Sequence, residues 1–132
     1  DSIKQAQDAI RWADHLVIFY PLWLGSMPAL LKAFLEQVFR PGVAFEYRAQ
    51  GKMAKKLFTG KSARIVVTMG MPALVYRWFF LAHSLKSLER NILAFCGIKP
   101  TRATLIGQVE GMNERQRASW LDEMRGLGDV GK

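Results

Sequence analysis

Apolar positions along this chain change their period several times, and each change marks an element. Ile3, Ala6, Ile10 and Ala13 recur at spacings of three and four, which predicts a helix with one apolar face. Ser2 is placed to cap it, with Gln5 as reciprocal partner. The run "HLVIFY", His15 to Tyr20, does not alternate and is rich in branched and aromatic residues. That predicts a strand buried on both faces, as in a parallel sheet. Pro28 suits the first turn of a second helix, whose apolar face is Leu31, Phe34, Leu35, Val38 and Phe39, with Lys32 and Glu36 paired on the wet side. "ARIVVTMG", Ala63 to Gly70, reads as a second buried strand. Trp78, Leu81, Leu85, Leu88, Ile92 and Phe95 predict one long helix, ended by Gly97 and blocked by Pro100. "RATLIGQV" is a third strand. Asn113 caps a last helix with Gln116 opposite it and Trp120, Leu121 and Met124 facing inward, and the tail "GLGDVGK" reads as frayed.

Strands alternating with helices imply an α/β fold with a parallel sheet and right-handed crossovers. With 132 residues and no linker or repeat, positions 1–132 read as a single domain. No apolar run approaches the length of a membrane span, which argues against membrane insertion. The lone Cys96 excludes an internal disulfide and implies no oxidising compartment.

In open parallel sheets, ligands bind beyond the carboxyl ends of the strands. "YPLWLGSMP" leaves the first strand at that edge and carries an indole, Trp23, on the connection. "TMGMPALVY" leaves the second strand at the same edge, with the Thr68 hydroxyl and Gly70, where a backbone could approach a ring closely. Together they suit a planar heterocycle with polar atoms on its rim. A loop tryptophan is equally at home as a packing anchor, and Tyr76, His15 and His83 are singly uninformative.

The net charge is +8. Lys52, Lys55, Lys56 and Lys61 lie between Arg48 and Arg64 with no acidic residue among them. A solvated lysine-rich loop, attraction to an anionic cofactor, and nucleic-acid binding are the three readings of that stretch. Only Phe58 interleaves with the charges and no nucleic-acid motif is present, so nucleic acid is not the expected partner. Phosphate-binding loops, zinc motifs, CxxC, a nucleophile elbow and a paired-carboxylate couple are all missing. Such a chain either borrows its chemistry from a cofactor or is not catalytic.

The block from Ala13 to Tyr47, with "PLWLGSMPALLK" and "GVAFEY", resembles the flavodoxin-like NAD(P)H:quinone oxidoreductase family, which includes the modulator-of-drug-activity and potassium-efflux ancillary proteins. "VVTMG" and "LAFCGIKPTRATLIG" fit the family's second half. The resemblance implies a three-layer sandwich lacking the family's first strand, phosphate loop, helix and second strand, which leaves "HLVIFY" as a bare edge. It implies FAD or FMN held by Pro21, Leu22, Trp23 and Leu24 on one side and Thr68, Met69, Gly70 and Met71 on the other. NAD(P)H would be the hydride donor and a quinone-like molecule the acceptor. Tyr76 and His83 would stabilise developing charge, although His83 falls one residue beyond the family's histidine. Phe45 and Tyr47 would reach into a partner's pocket in a homodimer, and a cytoplasmic location is expected. The other reading left open is a non-catalytic flavodoxin-like module ancillary to a partner such as a transporter.

Overall fold

A computed structural model describes residues 2–49 and 52–132. Helix α1 spans Ser2–Trp12 and leads into β1, His15–Pro21. Helix α2, Ala29–Val38, follows. The basic connection contains two short strands, β2 at Phe45–Glu46 and β3 at Lys55–Lys56, paired antiparallel. Strand β4 is Ser62–Thr68, and helices α3 (Ala73–Trp78), α4 (His83–Ser87) and α5 (Ala94–Cys96) lead to β5, Thr101–Ile106. Helix α6, Glu114–Asp129, closes the order.

Strands β1, β4 and β5 form one parallel sheet in the order β1-β4-β5. Side chains on one face, Tyr20, Ile65, Val67 and Met69, pack with Leu35, Val38 and Phe39 of α2 and with Leu85, Leu88, Leu93 and Cys96 of the second crossover. Helix α6 returns along the other face, ending where Gly131 and Lys132 border His15, Ser62 and Arg102. Helices therefore flank the sheet on both sides, the expected layered α/β arrangement.

Local signals proved reliable at the helix ends. Asn113 and Gln116 form the predicted capping box, with Gln116 N donating to Asn113 Oδ1 at 2.9 Å and Asn113 N donating to Gln116 Oε1 at 3.0 Å. Gly97 adopts φ +102° and ends α5 in a Schellman arrangement, Gly97 N donating to Ala94 O and Ile98 N to Leu93 O. Lys32 and Glu36 are paired. Pro28 stands at the cap of α2 instead of within it.

Several expectations need correction. β1 is not buried on both faces: it is the bare edge that the resemblance implied, with Val17 51% and Phe19 62% exposed at the end of the strand order, where they border an open cavity with Ile10 and Phe34. Phe34 likewise emerges from the apolar face of α2 and is exposed. The single long helix from Trp78 is broken: α3 ends, Leu81 and Ala82 turn left-handed at φ +55° and +49°, and α4 starts anew, continuing through a π turn at Leu88–Leu93. Trp78, Leu81 and Phe95 are consequently exposed, not core. On α6, Leu121 points to solvent, with Trp120 and Met124 half-buried, and the helix runs through the tail segment 126–129 that was expected to fray.

The basic stretch also disperses. Lys61 donates to the carbonyls of Arg11 and Ala13, Lys55 faces Glu46, and Arg64 lies buried in the central strand with a bond to Thr104 Oγ1. Phe58 is a core residue, edge-on to Phe39, and of the charges only Lys61 lies over its ring, 6.0 Å from the centroid. Gln50 and Gly51 fall outside the described residues. Among the described residues no helix is long and apolar enough to cross a membrane.

Candidate functional site

The exits of β1 and β4 meet. Pro21 and Thr68 are in register, and the ladder runs one bond further, Leu22 N donating to Thr68 O at 2.7 Å. Past that bond, Trp23 and Ser26 exchange both backbone hydrogen bonds, at 2.9 and 3.0 Å, around Leu24 and Gly25. Both central residues have positive φ, +48° and +76°, as a two-residue type I′ turn demands. For Leu24 that conformation costs about 1 kcal/mol. Its side chain is nevertheless fully exposed, and Trp23 beside it is 63% exposed. The turn holds two large apolar side chains in water.

Across the rim, the loop after β4 is tied to the loop after β5. Met69 N donates to Ile106 O, Val109 N to Met69 O, and Gln108 N to Met71 O. This third loop escaped the sequence reading. Gly107 within it has no room for a side chain, since a Cβ would stand 2.4 Å from Ala73 N and 2.8 Å from Met71 O. The glycine ending "TLIG" was the available signal. Glu110 follows, its Oε1 3.9 Å from where a Gly70 Cβ would be.

The eight loop residues divide by what they show. Met69 is buried, and Leu22 and Met71 lean on the core, so these present main chain at the rim. Met71 thus does not screen the backbone beside Gly70. Pro21 and Thr68 are half-buried at the ladder's end, and Trp23, Leu24 and Gly70 are exposed. Among the described residues the N–H groups of Gly70 and Met71 have no hydrogen-bond partner. The rim therefore offers an exposed indole, a bare α-carbon and free donors, anchored by the backbone hydrogen bonds that tie the three loops.

Tyr76 and His83 differ in exposure. Tyr76 is 2% exposed, and its hydroxyl contacts Ser84 Oγ at 2.6 Å and accepts from Leu85 N at 3.1 Å. Its carbonyl accepts from Ala82 N. One residue thus clamps both sides of the left-handed bend. His83 is exposed at the first position of α4. In Tyr76→Phe the buried Leu85 N–H loses its acceptor, and urea unfolding should show a loss of about 1–2 kcal/mol. Phe45 stacks edge-on with Tyr47 and with Phe95, at 5.3 and 4.9 Å between centroids, away from the two rim loops in its ring contacts, and Tyr47 is largely exposed.

Behind the rim, burial pushes the Tyr20 hydroxyl well above its ordinary range, and this oxygen has no partner among the described residues. Burial raises the Cys96 thiol to about 11, so it is not a nucleophile at neutral pH. Burial also raises the Glu89 carboxyl, against the pull of Arg90 and Lys86. A carboxyl raised in the folded state contributes its full stability below its unfolded pKa, and that contribution is lost as pH climbs through the folded value. Glu89→Gln should therefore raise Tm at neutral pH, and the gain should vanish below about pH 4.3, where glutamate is protonated in both states. Melts at several pH values check this.

A profile described as the Flavodoxin-like fold matches residues 1–126. A Haemophilus influenzae protein described as an uncharacterized NAD(P)H oxidoreductase is 28% identical over 92% of the chain. An FMN-dependent NADH:quinone oxidoreductase of Hahella chejuensis is 38% identical over 70% of it. The chain spans 60% and 42% of those two proteins, respectively. The crystal structure of a Streptococcus mutans protein superposes with a TM-score of 0.82 at 31% identity, covering 96% of this chain and 65% of that one.

Proposed function

The chain belongs to the family of the Flavodoxin-like fold, and from that premise we propose that it is the catalytic portion of a flavin-dependent NAD(P)H:quinone oxidoreductase. The observation that carries the reading is the Leu22 N to Thr68 O hydrogen bond. It holds the Trp23 turn and the Gly70 loop at one rim, with a flat apolar surface on one side and free N–H donors on the other. A flavin needs both: a face to lie against and donors for the polar edge of its pyrimidine. The flavin we assign is FMN, named in the Hahella relative.

Bound there, flavin would supply hydride acceptance from NAD(P)H and two-electron delivery to a quinone-like acceptor. The chain's own residues bind and shape. Trp23 and Leu24 cover one side of the ring and exclude water, which relieves their exposure. Gly70 lets the backbone come close, and the N–H groups of Gly70 and Met71 hold the pyrimidine edge. Pro21, Leu22, Thr68 and Met69 fix the spacing of the two loops. His83 offers an exposed imidazole to charge developing on the acceptor. Tyr76 acts through the α3–α4 bend, as a positioning residue.

A homodimer completes this reading. Leu74, Trp78, Phe79 and Phe80 expose apolar side chains on and just after α3, a surface that a second copy would cover. Phe45 and Tyr47, on a separate projection, would line the partner's rim.

Fluorescence titration with FMN, followed by NADH and NADPH oxidation with a soluble quinone, tests the proposal. Saturable binding that weakens in Trp23→Ala and a quinone-dependent rate support it. A protein that binds neither FMN nor FAD and oxidises no nicotinamide is the non-catalytic module instead.

A further inference from the structure

At the end of the sheet opposite the Trp23–Gly70 rim lies a basic trough. Lys99 and Pro100 lead into β5, so the trough opens at the amino ends of the strands. Its first part, about 330 Å³, is lined by Lys56, Arg90, Lys99, Met53, Ala94 and Phe95, and among the described residues no carboxylate lines it. A second part, about 580 Å³, shares Arg90, Ala94 and Lys99 and continues to Glu89 and Thr101.

Three cations drawn into one concavity repel one another, so such a cluster calls for a counter-charge. Elsewhere on the described surface Arg11, Lys32, Lys55 and Arg125 each face a carboxylate. Here Lys56 is steadied by the Ala94 carbonyl at 2.9 Å. The side chains of Arg90 and Lys99 make no hydrogen bond or ion pair among the described residues. Arg90 sits within the π turn, a helix irregularity that often accompanies binding sites. Beside the cations stands Phe95, 41% exposed and braced edge-on by Phe45, so its ring is held in place with area to spare. Exposed Met53 extends that apolar wall.

We propose that this trough is a second binding site, for a nucleoside polyphosphate: phosphates between Lys56, Arg90 and Lys99, and the base against Phe95 and Met53. The chemistry asks for several negative charges on a small, partly planar body. A bilayer is too flat to enter a concave site of this size. A long polynucleotide needs cations that track its backbone, whereas Glu89 interrupts the charge at the trough's second part. The site shares no residue with the flavin rim and does not depend on it.

The test is a titration of the whole isotope-labelled protein with ATP, following backbone amide shifts, with inorganic tripolyphosphate as a second arm. Saturable shifts over 94–99, with those of Trp23–Ser26 and Gly70–Met71 unmoved, are expected. Arg90→Ala with Lys99→Ala should weaken ATP at least about tenfold. Lys4→Ala with Arg115→Ala removes the same charge from exposed positions elsewhere and should change it less than about twofold. Glu89→Gln should tighten it. Equal losses in the two double variants, shifts confined to the flavin rim, or no saturable shift would overturn the proposal. Tripolyphosphate binding as tightly as ATP would overturn the base-recognition half of it. All the variants except the half-buried Glu89→Gln replace exposed side chains, and the amide spectra report directly whether each fold is intact.

Discussion

Gly107→Ala should cost about 3 kcal/mol of stability and strip the rim of its ligand affinity together. The added methyl would stand 2.4 Å from Ala73 N, 2.8 Å from Met71 O and 3.1 Å from Pro72 C. All three are backbone atoms, so no side-chain rotation relieves the clash. The β5 exit must move away from the loop that starts α3. That separation strains the bonds from Gln108 N to Met71 O and from Val109 N to Met69 O. Overpacking in a close contact costs about 1–3 kcal/mol, and each hydrogen bond lost adds about 1 kcal/mol. Urea unfolding reads the first effect and FMN titration the second. A variant with unchanged midpoint and affinity would show that the two loops are not packed as described.

Gly70→Val should separate the two effects. Gly70 is exposed, and its Cβ position meets nothing nearer than Glu110 Oε1 at 3.9 Å. No left-handed backbone conformation is required there, unlike at Gly25 or Gly97. The fold should therefore tolerate the side chain within about 0.5 kcal/mol. The isopropyl group would nonetheless fill the space in which we place the ring edge, and FMN affinity should fall at least about tenfold, or more than 1.4 kcal/mol. Retained affinity in a stable Gly70→Val protein would remove the ring from this loop and with it the proposed function.

These two glycines show why the rim was partly legible. Gly70 and Trp23 could be picked out because each stands directly after a strand, and strand exits of a parallel sheet share one edge. Gly107 occupies the same kind of place after β5, yet its necessity comes from Ala73 and Met71, more than thirty positions earlier in the chain. Tyr76 shows the opposite case: its place in the chain is plain, but no pattern says that its hydroxyl would be held by Ser84 and Leu85.

What the sequence by itself determined is local: the runs that became β1, β4 and β5, the face of α2 that holds Leu35 and Val38, the Asn113–Gln116 capping box, and the Gly97 stop. Each follows from the period or the capping chemistry of a few neighbouring residues, and their energies are settled within a turn or a strand. The tertiary structure alone decided that the helix after β4 would break at Leu81–Ala82, and that Lys56, Arg90 and Lys99 would share one trough. Those outcomes depend on atoms far apart in the chain competing for the same space and the same hydrogen bonds. A linear pattern carries no distances between them, and only the packed fold supplies those.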